Sequence, residues 1–196
     1  MARPARFSHD DVLDGAARAI AECGPAATIA DVARSIGGPS GSIYHRFASR
    51  KELFGRLWLR AIGRFHAGLL AAYALDDPHA AVVASARHIP SFCRQHPLDA
   101  RVMLLYRQSE LSTTGPESLR SEAAHVNDAI DGAMADLVAR RFPETTRRRS
   151  DLLRMATRLA PYGMVRPFIG RTMPDWLDDA VAASSEAIAA LGDRDE

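Results

Sequence analysis

Lysine and cysteine are scarce in this sequence. Among 196 residues there is one lysine, Lys51, and there are two cysteines, Cys23 and Cys93. The cysteines are far apart and neither belongs to a C-x-x-C pair, so the sequence predicts no disulfide framework and no zinc site. We interpret each cysteine as a small buried hydrophobe, with a redox-sensing Cys23 as the alternative.

Long apolar runs are also missing. No uninterrupted apolar stretch approaches the roughly 20 residues that a helix needs to span a bilayer, and the N-terminal residues do not form a charged-then-apolar leader. We therefore expect a cytoplasmic protein with no membrane contact.

The sequence offers little to catalytic chemistry. Its seven histidines show no metal-ligand spacing, and it contains neither a glycine-rich phosphate loop nor the Ser, His and Asp arrangement of a known hydrolase pattern. His88 and His96 are eight residues apart, but Pro90 and Pro97 are expected to disrupt the helix that would align them. The sequence therefore predicts no enzyme, no metal and no cofactor.

Helical periodicity, by contrast, extends through the whole chain. No segment shows the strict alternation of a half-buried strand, and no internal repeat is present. With 47% hydrophobic residues the chain can bury a sizeable core, and its length fits one compact head and one larger body. The predicted fold class is all-α, with a helix-turn-helix head at residues 1–55 joined by a long helix to a body at residues 56–196.

The most informative segment is residues 28–52, which reads TIADVARSIGGPSGSIYHRFASRKE. Thr28 is a typical helix N-cap with Asp31 three residues later, and the apolar residues that follow recur at helical spacing. Gly37 and Gly38 favour a tight turn because glycine adopts positive φ at little cost. The segment therefore predicts two short helices joined by a glycine turn.

The second of these helices is predicted to begin near Ser40, with Pro39 in its first turn and Ser40 in the capping role. Ile43 and Phe47 are four residues apart and would hold this helix against the first one. Packing of Tyr44 as an ordinary aromatic residue is the alternative to an exposed position. The side chains expected to be accessible to phosphates or base edges are Ser40, Ser42, Tyr44, His45 and Arg46.

A third helix is predicted after Ser49, which forms a capping box with Glu52. Arg50 and Lys51 then lie in its first turn, where the helix dipole disfavours positive charge. An approaching phosphate explains two cations at this position better than water does. Residues 1–64 carry ten basic and six acidic residues, a net charge of +4 in a chain of net charge +1, so this part is expected to bind DNA.

These features resemble the tetracycline-repressor (TetR) family of bacterial transcriptional regulators, from about Phe7 to Phe65. The resemblance is carried by the helix-turn-helix spacing, the sequence GSIYHRF at residues 41–47, the SRKE cap at residues 49–52 and an upstream helix at residues 10–23. It implies a three-helix head that binds double-stranded DNA, a body that binds a small-molecule effector, and a homodimer that reads a palindromic operator.

The same resemblance implies which side chains contact DNA. The chain departs from the family pattern at Gly38 and Pro39, where a small apolar residue followed by serine or threonine is more usual. The resemblance does not distinguish the side chains that contact bases from those that contact phosphates. The residues expected to contact DNA are Thr28, Ser40, Gly41, Ser42, Tyr44, His45, Arg46 and Lys51.

Beyond the head, further helices are predicted from the spacing of apolar residues and from helix breakers. The third helix of the motif is expected to continue to about Asp76. A loop rich in Ser, Thr and Gly is expected at residues 111–116. The later helices are expected at residues 79–95, 98–110, 117–141, 145–163 and 174–191.

The last two predicted helices carry small and aliphatic residues along one side. In the resembled family the final two helices pair with their two-fold mates, which makes this side a dimer interface. The alternative is that the stripes only complete the core of one chain. The interface residues expected are Leu152, Ala156, Leu159, Leu177, Val181, Ser184 and Ile188.

The middle helices, roughly residues 66–170, are expected to enclose a largely apolar effector pocket. The candidates, each of which is also a plausible core residue, are Phe65, His66, Phe92, Met103, Tyr106, Asn127, Met134, Tyr162 and Phe168. The predicted function is a repressor that leaves its operator when the effector binds, with activation of transcription left open. The alternative is a helical small-molecule or protein-interaction module that has lost DNA binding.

Overall fold

The computed structural model describes residues 7–194, and every regular element within them is helical. The predicted all-α fold class is therefore confirmed. Short 3₁₀ turns occupy Gly24–Ala26, Arg166–Phe168 and Leu191–Asp193, and a π-helical stretch occupies Met155–Leu159. The α-helices of the described residues are α1 (His9–Cys23), α2 (Ile29–Ile36), α3 (Ser40–Tyr44), α4 (Arg50–Tyr73), α5 (Pro78–Gln95), α6 (Pro97–Val102), α7 (Gln108–Thr114), α8 (Glu117–His125), α9 (Asp128–Arg141), α10 (Arg147–Arg154), α11 (Ala160–Val165) and α12 (Leu177–Ala190).

Helices α1 and α2 begin where capping chemistry predicts. Ser8 caps α1 and Thr28 caps α2, and each side chain accepts a hydrogen bond from the backbone N–H three residues later. Asp11 and Asp31 return the bond to the backbone of the cap, so both helices start with a complete capping box.

Packing divides the chain into two compact units. The first consists of the residues up to Gly63 together with Leu98–Val126, and the second of Arg64–Pro97 together with the residues from Asn127 onward. These units describe packing alone, so the functional boundary between residues 55 and 56 stays a prediction.

The first unit has one apolar core shared by the head and by a later segment of the chain. Phe47 and Phe54 of the head are almost fully buried in it, and so are Leu111 of α7 and Leu119 of α8. The three helices of the head therefore do not form this core alone, because α7 and α8 supply side chains to it.

The second unit contains a buried polar contact between α4 and the π-helical stretch. The Tyr73 hydroxyl lies 3.1 Å from Oγ1 of Thr157, and that hydroxyl itself donates to the Leu153 carbonyl at 2.9 Å. Since Thr157 has only one hydroxyl hydrogen, Tyr73 is the donor of the shared bond. Burial raises the pKa of Tyr73 to about 12.

The predicted helix at residues 98–110 is wrong, because the chain turns after Val102. The carbonyl of Met103 accepts the indole N–H of Trp58 at 3.3 Å, and Leu104 and Leu105 form i to i−3 bonds. The predicted loop at residues 111–116 is wrong as well. Most of it belongs to α7, where Leu111 is fully buried and anchors the polar sequence in a helix.

The predicted single helix at residues 117–141 is interrupted at Val126 and Asn127, where α8 ends and α9 begins. Its apolar stripe serves two different cores. Leu119 lies in the core of the first unit, and Ile130 lies in a core of the second. The break therefore separates the part of the stripe that packs in the first unit from the part that packs in the second.

Proline has different effects at positions 90 and 161. Pro90 lies within α5, which continues to Gln95, so the expected disruption at this position is wrong. Pro161 follows the π-helical stretch, in which the Ala160 N–H donates to Met155, five residues earlier. Because proline has no N–H to continue the normal ladder, a local widening of the helix accommodates it.

The two cysteines also differ from each other. Cys23 is exposed, so its interpretation as a buried hydrophobe is wrong, since it lies at the solvent-facing end of α1. Cys93 is partly buried, and this burial raises the pKa of its thiol to about 11. Such a thiol stays protonated near neutral pH.

Residues 7–194 contain neither a membrane-spanning helix nor a metal-binding cluster. None of their helices combines the length and the apolar character needed to cross a lipid bilayer. Nor do these residues bring together three or more histidine, cysteine or carboxylate side chains that could hold a metal ion.

Candidate nucleic-acid interface

The turn between α2 and α3 contains two glycines, Gly37 and Gly38, which have different structural roles. Gly37 adopts the left-handed conformation, with φ 65° and ψ 35°, and its N–H donates to carbonyls of the last turn of α2. Gly38 lies under the ring of Phe7, where an added Cβ would come within 2.5 Å of a ring carbon. This contact explains why the chain has glycine at 38, where a small apolar residue is more usual.

Helix α3 begins at Ser40, as predicted, but its cap differs from the prediction. Pro39 occupies the N-cap position with an extended backbone, and Ser40 is the first helical residue. The expected capping role of Ser40 is therefore wrong, and no side chain caps this helix. The hydroxyl of Ser42 donates to the Pro39 carbonyl at 2.7 Å and so closes the first turn.

The outward face of α3 is formed by residues that are exposed to solvent. Tyr44 is 55% exposed, and Gly41 and His45 are exposed as well. Ser40 and Ser42 are half-buried, while Ile43 is fully buried and fixes the helix on the core. The alternative of a packed Tyr44 does not hold, because more than half of this side chain faces solvent.

Thr28 is held by the capping box of α2. Its hydroxyl donates to Asp31 Oδ2 at 2.7 Å and accepts from the Asp31 N–H at 3.2 Å. Hydrogen bonds from the Thr28 side chain and backbone lower the pKa of Asp31. Thr28 remains exposed, so the predicted DNA contact stays a prediction beside this structural role.

Arg46 is bonded within the head. Its guanidinium donates to the carbonyl of Ser42 at 2.7 Å and, by a shorter bond, to the carbonyl of Phe7. The backbone N–H of Arg46 donates to Ile43, so the side chain satisfies the Ser42 carbonyl at the end of α3. In this conformation Arg46 joins α3 to the segment that precedes α1.

The start of α4 carries the two cations for which a phosphate partner was inferred, and each of them has carbonyl partners within the described chain. Arg50 donates to the carbonyls of Ala27 at 2.7 Å and Pro25 at 2.5 Å. Lys51 donates through Nζ to the carbonyl of Thr114 at 2.6 Å. Main-chain carbonyls of the same unit therefore offset the unfavourable helix dipole without any phosphate.

The cap of α4 is also modified by its surroundings. Ser49 Oγ accepts the Glu52 N–H at 3.1 Å, as in the predicted capping box. The Glu52 carboxylate, however, accepts from the Ala48 N–H at 2.8 Å, one residue before the cap. Its other oxygen accepts the Ser118 hydroxyl at 2.8 Å, so the same carboxylate also fixes α8 to α4.

The predicted effector-pocket residues fall into separate groups. Met103 and Tyr106 pack against the core of the first unit, and Met134 belongs to a core cluster of the second. Asn127 immediately precedes α9, and Tyr162 is 41% exposed. Two of these five residues therefore belong to the first unit and three to the second.

Phe65, Phe92 and Phe168 come closer to the expected arrangement. The rings of Phe65 and Phe92 meet edge to face with centroids 5.3 Å apart, and Phe168 packs against the same cluster as Phe65. The ring of His66 is 6.1 Å from that of Phe65. These four residues of the second unit stay candidates for contact with an effector.

His88 is a member of this aromatic group that the sequence interpretation missed. Its Nε2 lies 2.8 Å from the Phe65 carbonyl, and its ring centroid is 5.8 Å from that of Phe92. Burial lowers the pKa of His88, so the neutral ring is favoured near pH 7. The spacing of four residues between His88 and Phe92 on one helix was the available signal.

The predicted dimer stripe is divided between core and surface. Ala156, Leu177 and Val181 are buried within the second unit of a single chain, so their assignment to an interface is wrong. Leu159 is 52% exposed, and Leu152, Ser184 and Ile188 are half-buried.

Exposed apolar side chains that the stripe did not include lie beside it. Met155 is 42% exposed and Tyr162 is 41% exposed, and each lies about one helical turn from Leu159. Together with Leu159 they form an apolar row on the surface of one chain. The signal was their helical spacing, which sequence alone did not distinguish from the buried face.

The family model described as bacterial regulatory proteins of the tetR family matches residues 12–57. This range covers most of α1, all of α2 and α3, and the first residues of α4. No curated protein matches the chain.

Solved structures with the same fold include several transcriptional regulators. A regulator from Rhodococcus sp. Rha1 is 18% identical with a TM-score of 0.74, covering 97% of this chain and 100% of the other. The fatty acid degradation regulator FadR from Bacillus halodurans is also 18% identical, with a TM-score of 0.71 and 96% of each chain covered. The TetR-family regulator PfmR from Thermus thermophilus is 20% identical, with a TM-score of 0.67, 91% of this chain and 97% of the other covered.

Proposed function

We propose that this chain, whose N-terminal helices place it in the TetR family of bacterial regulatory proteins, is a homodimeric repressor of transcription. It binds a palindromic operator in double-stranded DNA and leaves it when a small molecule binds. The observation that carries this proposal is the exposed outer face of α3, where Tyr44 and His45 project from a helix whose inner face is buried.

A helix of this kind is suited to the major groove, because that groove admits an α-helix and displays the base edges. Tyr44 offers a hydroxyl and an aromatic ring, and His45 offers ring nitrogens. Ser40, Gly41 and Ser42 lie in the first turn, where short side chains allow a close approach to the DNA backbone.

Residues 1–64 carry a net charge of +4. Because the carbonyls that accept from Arg46 and Arg50 are uncharged, both guanidinium groups still contribute to the positive potential of the head. We therefore assign them a long-range electrostatic effect, and we assign direct phosphate contact to Lys51.

The dimer interface that we propose is the apolar row of Met155, Leu159 and Tyr162 together with Ser184 and Ile188 of α12. Half-exposed apolar side chains at helical spacing are stabilised when a second copy covers them. Two heads related by a two-fold axis then bind two inverted half-sites, which makes the operator palindromic.

The effector that we propose is a largely apolar small molecule bound near Phe65, Phe92 and Phe168. Aromatic side chains of this kind line many ligand pockets, and His88 adds a polar group to the same cluster. We place the whole cycle of binding and release in the cytoplasm.

The first experiment selects DNA with the purified protein. Sheared genomic DNA is incubated with the native chain, with Tyr44→Ala and with Leu104→Ala, and bound fragments are sequenced. Leu104 is a matched control, because it is 47% exposed and belongs to the same compact unit as Tyr44. A palindromic sequence enriched by the native and Leu104→Ala proteins but not by Tyr44→Ala supports the proposal.

Equal enrichment by all three proteins contradicts the assignment of α3, and no enrichment by the native protein contradicts DNA binding. The mass of the native protein in solution, measured by light scattering, tests the dimer. Leu159→Glu is expected to yield monomers that bind the operator weakly, because a charge would be buried in the interface.

A further inference from the structure

The only lysine of the chain has an unusual partner. Lys51 donates to the carbonyl of Thr114, and the two residues are 63 positions apart in sequence. Thr114 is the last residue of α7, so its carbonyl has no partner within the helix. The C-terminal end of a helix also carries partial negative charge, which favours a cation at this position.

The segment that presents this carbonyl is fixed to α4 by further contacts. The hydroxyl of Ser118 donates to Glu52 at 2.8 Å, and Arg56 donates to the Ser118 carbonyl at 2.9 Å. Leu119 packs so closely against Gly55 that an added Cβ would lie 2.4 Å from one of its methyl carbons. These contacts therefore hold the carbonyl of Thr114 next to the first turn of α4, where Lys51 lies.

The bond has a thermodynamic consequence for DNA binding. Whatever free energy it contributes belongs to the DNA-free protein, and it is lost when the ammonium turns to a phosphate. The affinity for DNA is lower by that amount. A group that binds Lys51 in the DNA-free protein thus inhibits DNA binding, even though it contacts no base.

We propose that α7 is an inhibitory element, whose C-terminal carbonyl at Thr114 competes with a DNA phosphate for Lys51. This inference rests on the proposed function, because it assigns a regulation to the same DNA-binding face. A conformation that keeps α7 in this position lowers affinity for the operator, and a displacement of Thr114 raises it.

The chain connects this element to the second unit at both of its ends. The segment Leu98–Val126 follows Pro97 and precedes Asn127, and both of these residues belong to the second unit. An effector that stabilises the present packing of α7 would keep Lys51 engaged and so favour release of the operator.

A double-mutant cycle tests the competition. Gly115→Ala displaces the last turn of α7, because the new Cβ would lie 2.1 Å from the Leu111 carbonyl oxygen. Its effect on binding to operator and random-sequence duplexes is measured in the full chain with Lys51 and in the Lys51→Ala background. Gly132→Ala is the matched control, since an added Cβ at 132 meets no atom within 4 Å.

The expected result is an affinity about two- to fivefold higher for Gly115→Ala when Lys51 is present, the range typical of a cation at a helix C-terminus. No rise is expected in the Lys51→Ala background, and none for Gly132→Ala. Ser118→Ala loosens the same segment without distorting a helix, so it provides a second test if Gly115→Ala does not fold. Circular dichroism identifies that case.

Three results would overturn the inhibitory role. They are an unchanged affinity, a change of equal size in both backgrounds, and a Lys51-dependent fall in affinity, which would mean that Thr114 orients the lysine towards DNA. In each of these cases native operator binding persists, so the proposed function stands. A native protein that binds no DNA removes the proposed function and the inhibitory element together.

Discussion

Replacing Arg46 by alanine separates a positioning role from a phosphate contact. The guanidinium joins the Ser42 carbonyl at the end of α3 to the Phe7 carbonyl ahead of α1. Arg46→Ala leaves both carbonyls without this donor. We expect α3 to lose part of its support, and the head to become less stable.

The magnitude follows from the two bonds. A hydrogen bond to a charged group contributes about 1.5–3 kcal/mol when buried, and Arg46 is only partly buried, so about 2 kcal/mol for the pair is the expected loss. For a chain of this size each kcal/mol lowers the melting temperature by about 2–4 °C, which gives a fall of about 4–8 °C.

The assay combines thermal unfolding with the salt dependence of operator binding. A phosphate contact removed from a protein lowers the slope of log K against log salt by about one unit. We expect Arg46→Ala to lower stability and leave this slope nearly unchanged, whereas Lys51→Ala lowers the slope. Arg34→Ala is the control, because Arg34 is exposed and its ion pair with Asp31 lies within one turn of α2.

The reasoning is refuted if Arg46→Ala melts like the native protein and the slope falls by one unit. That pair of results would show that the two carbonyl bonds contribute little and that the guanidinium binds a phosphate in the complex. Arg34→Ala should change neither quantity by much, since exposed ion pairs of this kind contribute less than about 1 kcal/mol.

Four further substitutions test the fold. Gly37→Val is expected to unfold the head or lower its melting temperature strongly, because valine does not tolerate the φ of 65° at this turn, and a native-like melting curve would contradict the turn. Gly63→Ala should stabilise α4 by about 0.5–1 kcal/mol in denaturant unfolding, because a Cβ there meets open space. Gly68→Ala should destabilise the same helix, because the Cβ would lie 2.2 Å from the ring of His88. Equal effects of the two substitutions would refute the packing of this helix. The folded-state pKa of Tyr73, about 12, lies above its unfolded value of 10, so the stability contributed by its protonated hydroxyl is fully present below pH 10 and is lost as the pH rises towards 12. Tyr73→Phe should flatten this fall in alkaline unfolding curves, and an unchanged curve would exclude Tyr73 as its cause.

The sequence by itself determined the local structure of the head. The caps at Ser8 and Thr28 and the turn at Gly37 depend on groups within about four residues of one another. Capping boxes and the φ preference of glycine act over that distance, so the residue order is sufficient to predict them. The same local reasoning gave the resemblance to the TetR family and predicted the exposed face of α3.

Tertiary structure decided the partners of the cations and the division of the apolar stripes. Lys51 donates to the Thr114 carbonyl and Arg46 to the Phe7 carbonyl, which are 63 and 39 residues away in sequence. Helical periodicity contains no information about contacts over such separations. The break between α8 and α9 also depends on tertiary packing, because one part of the apolar stripe packs into the core of the first unit and the other part into a core of the second. Ala156, which the sequence pattern places on an interface, is buried because the neighbouring α12 covers it, with Ser185 donating to its carbonyl at 2.7 Å. A pattern of apolar residues indicates that a face will be covered, and only the assembled chain shows whether its own helices already cover it.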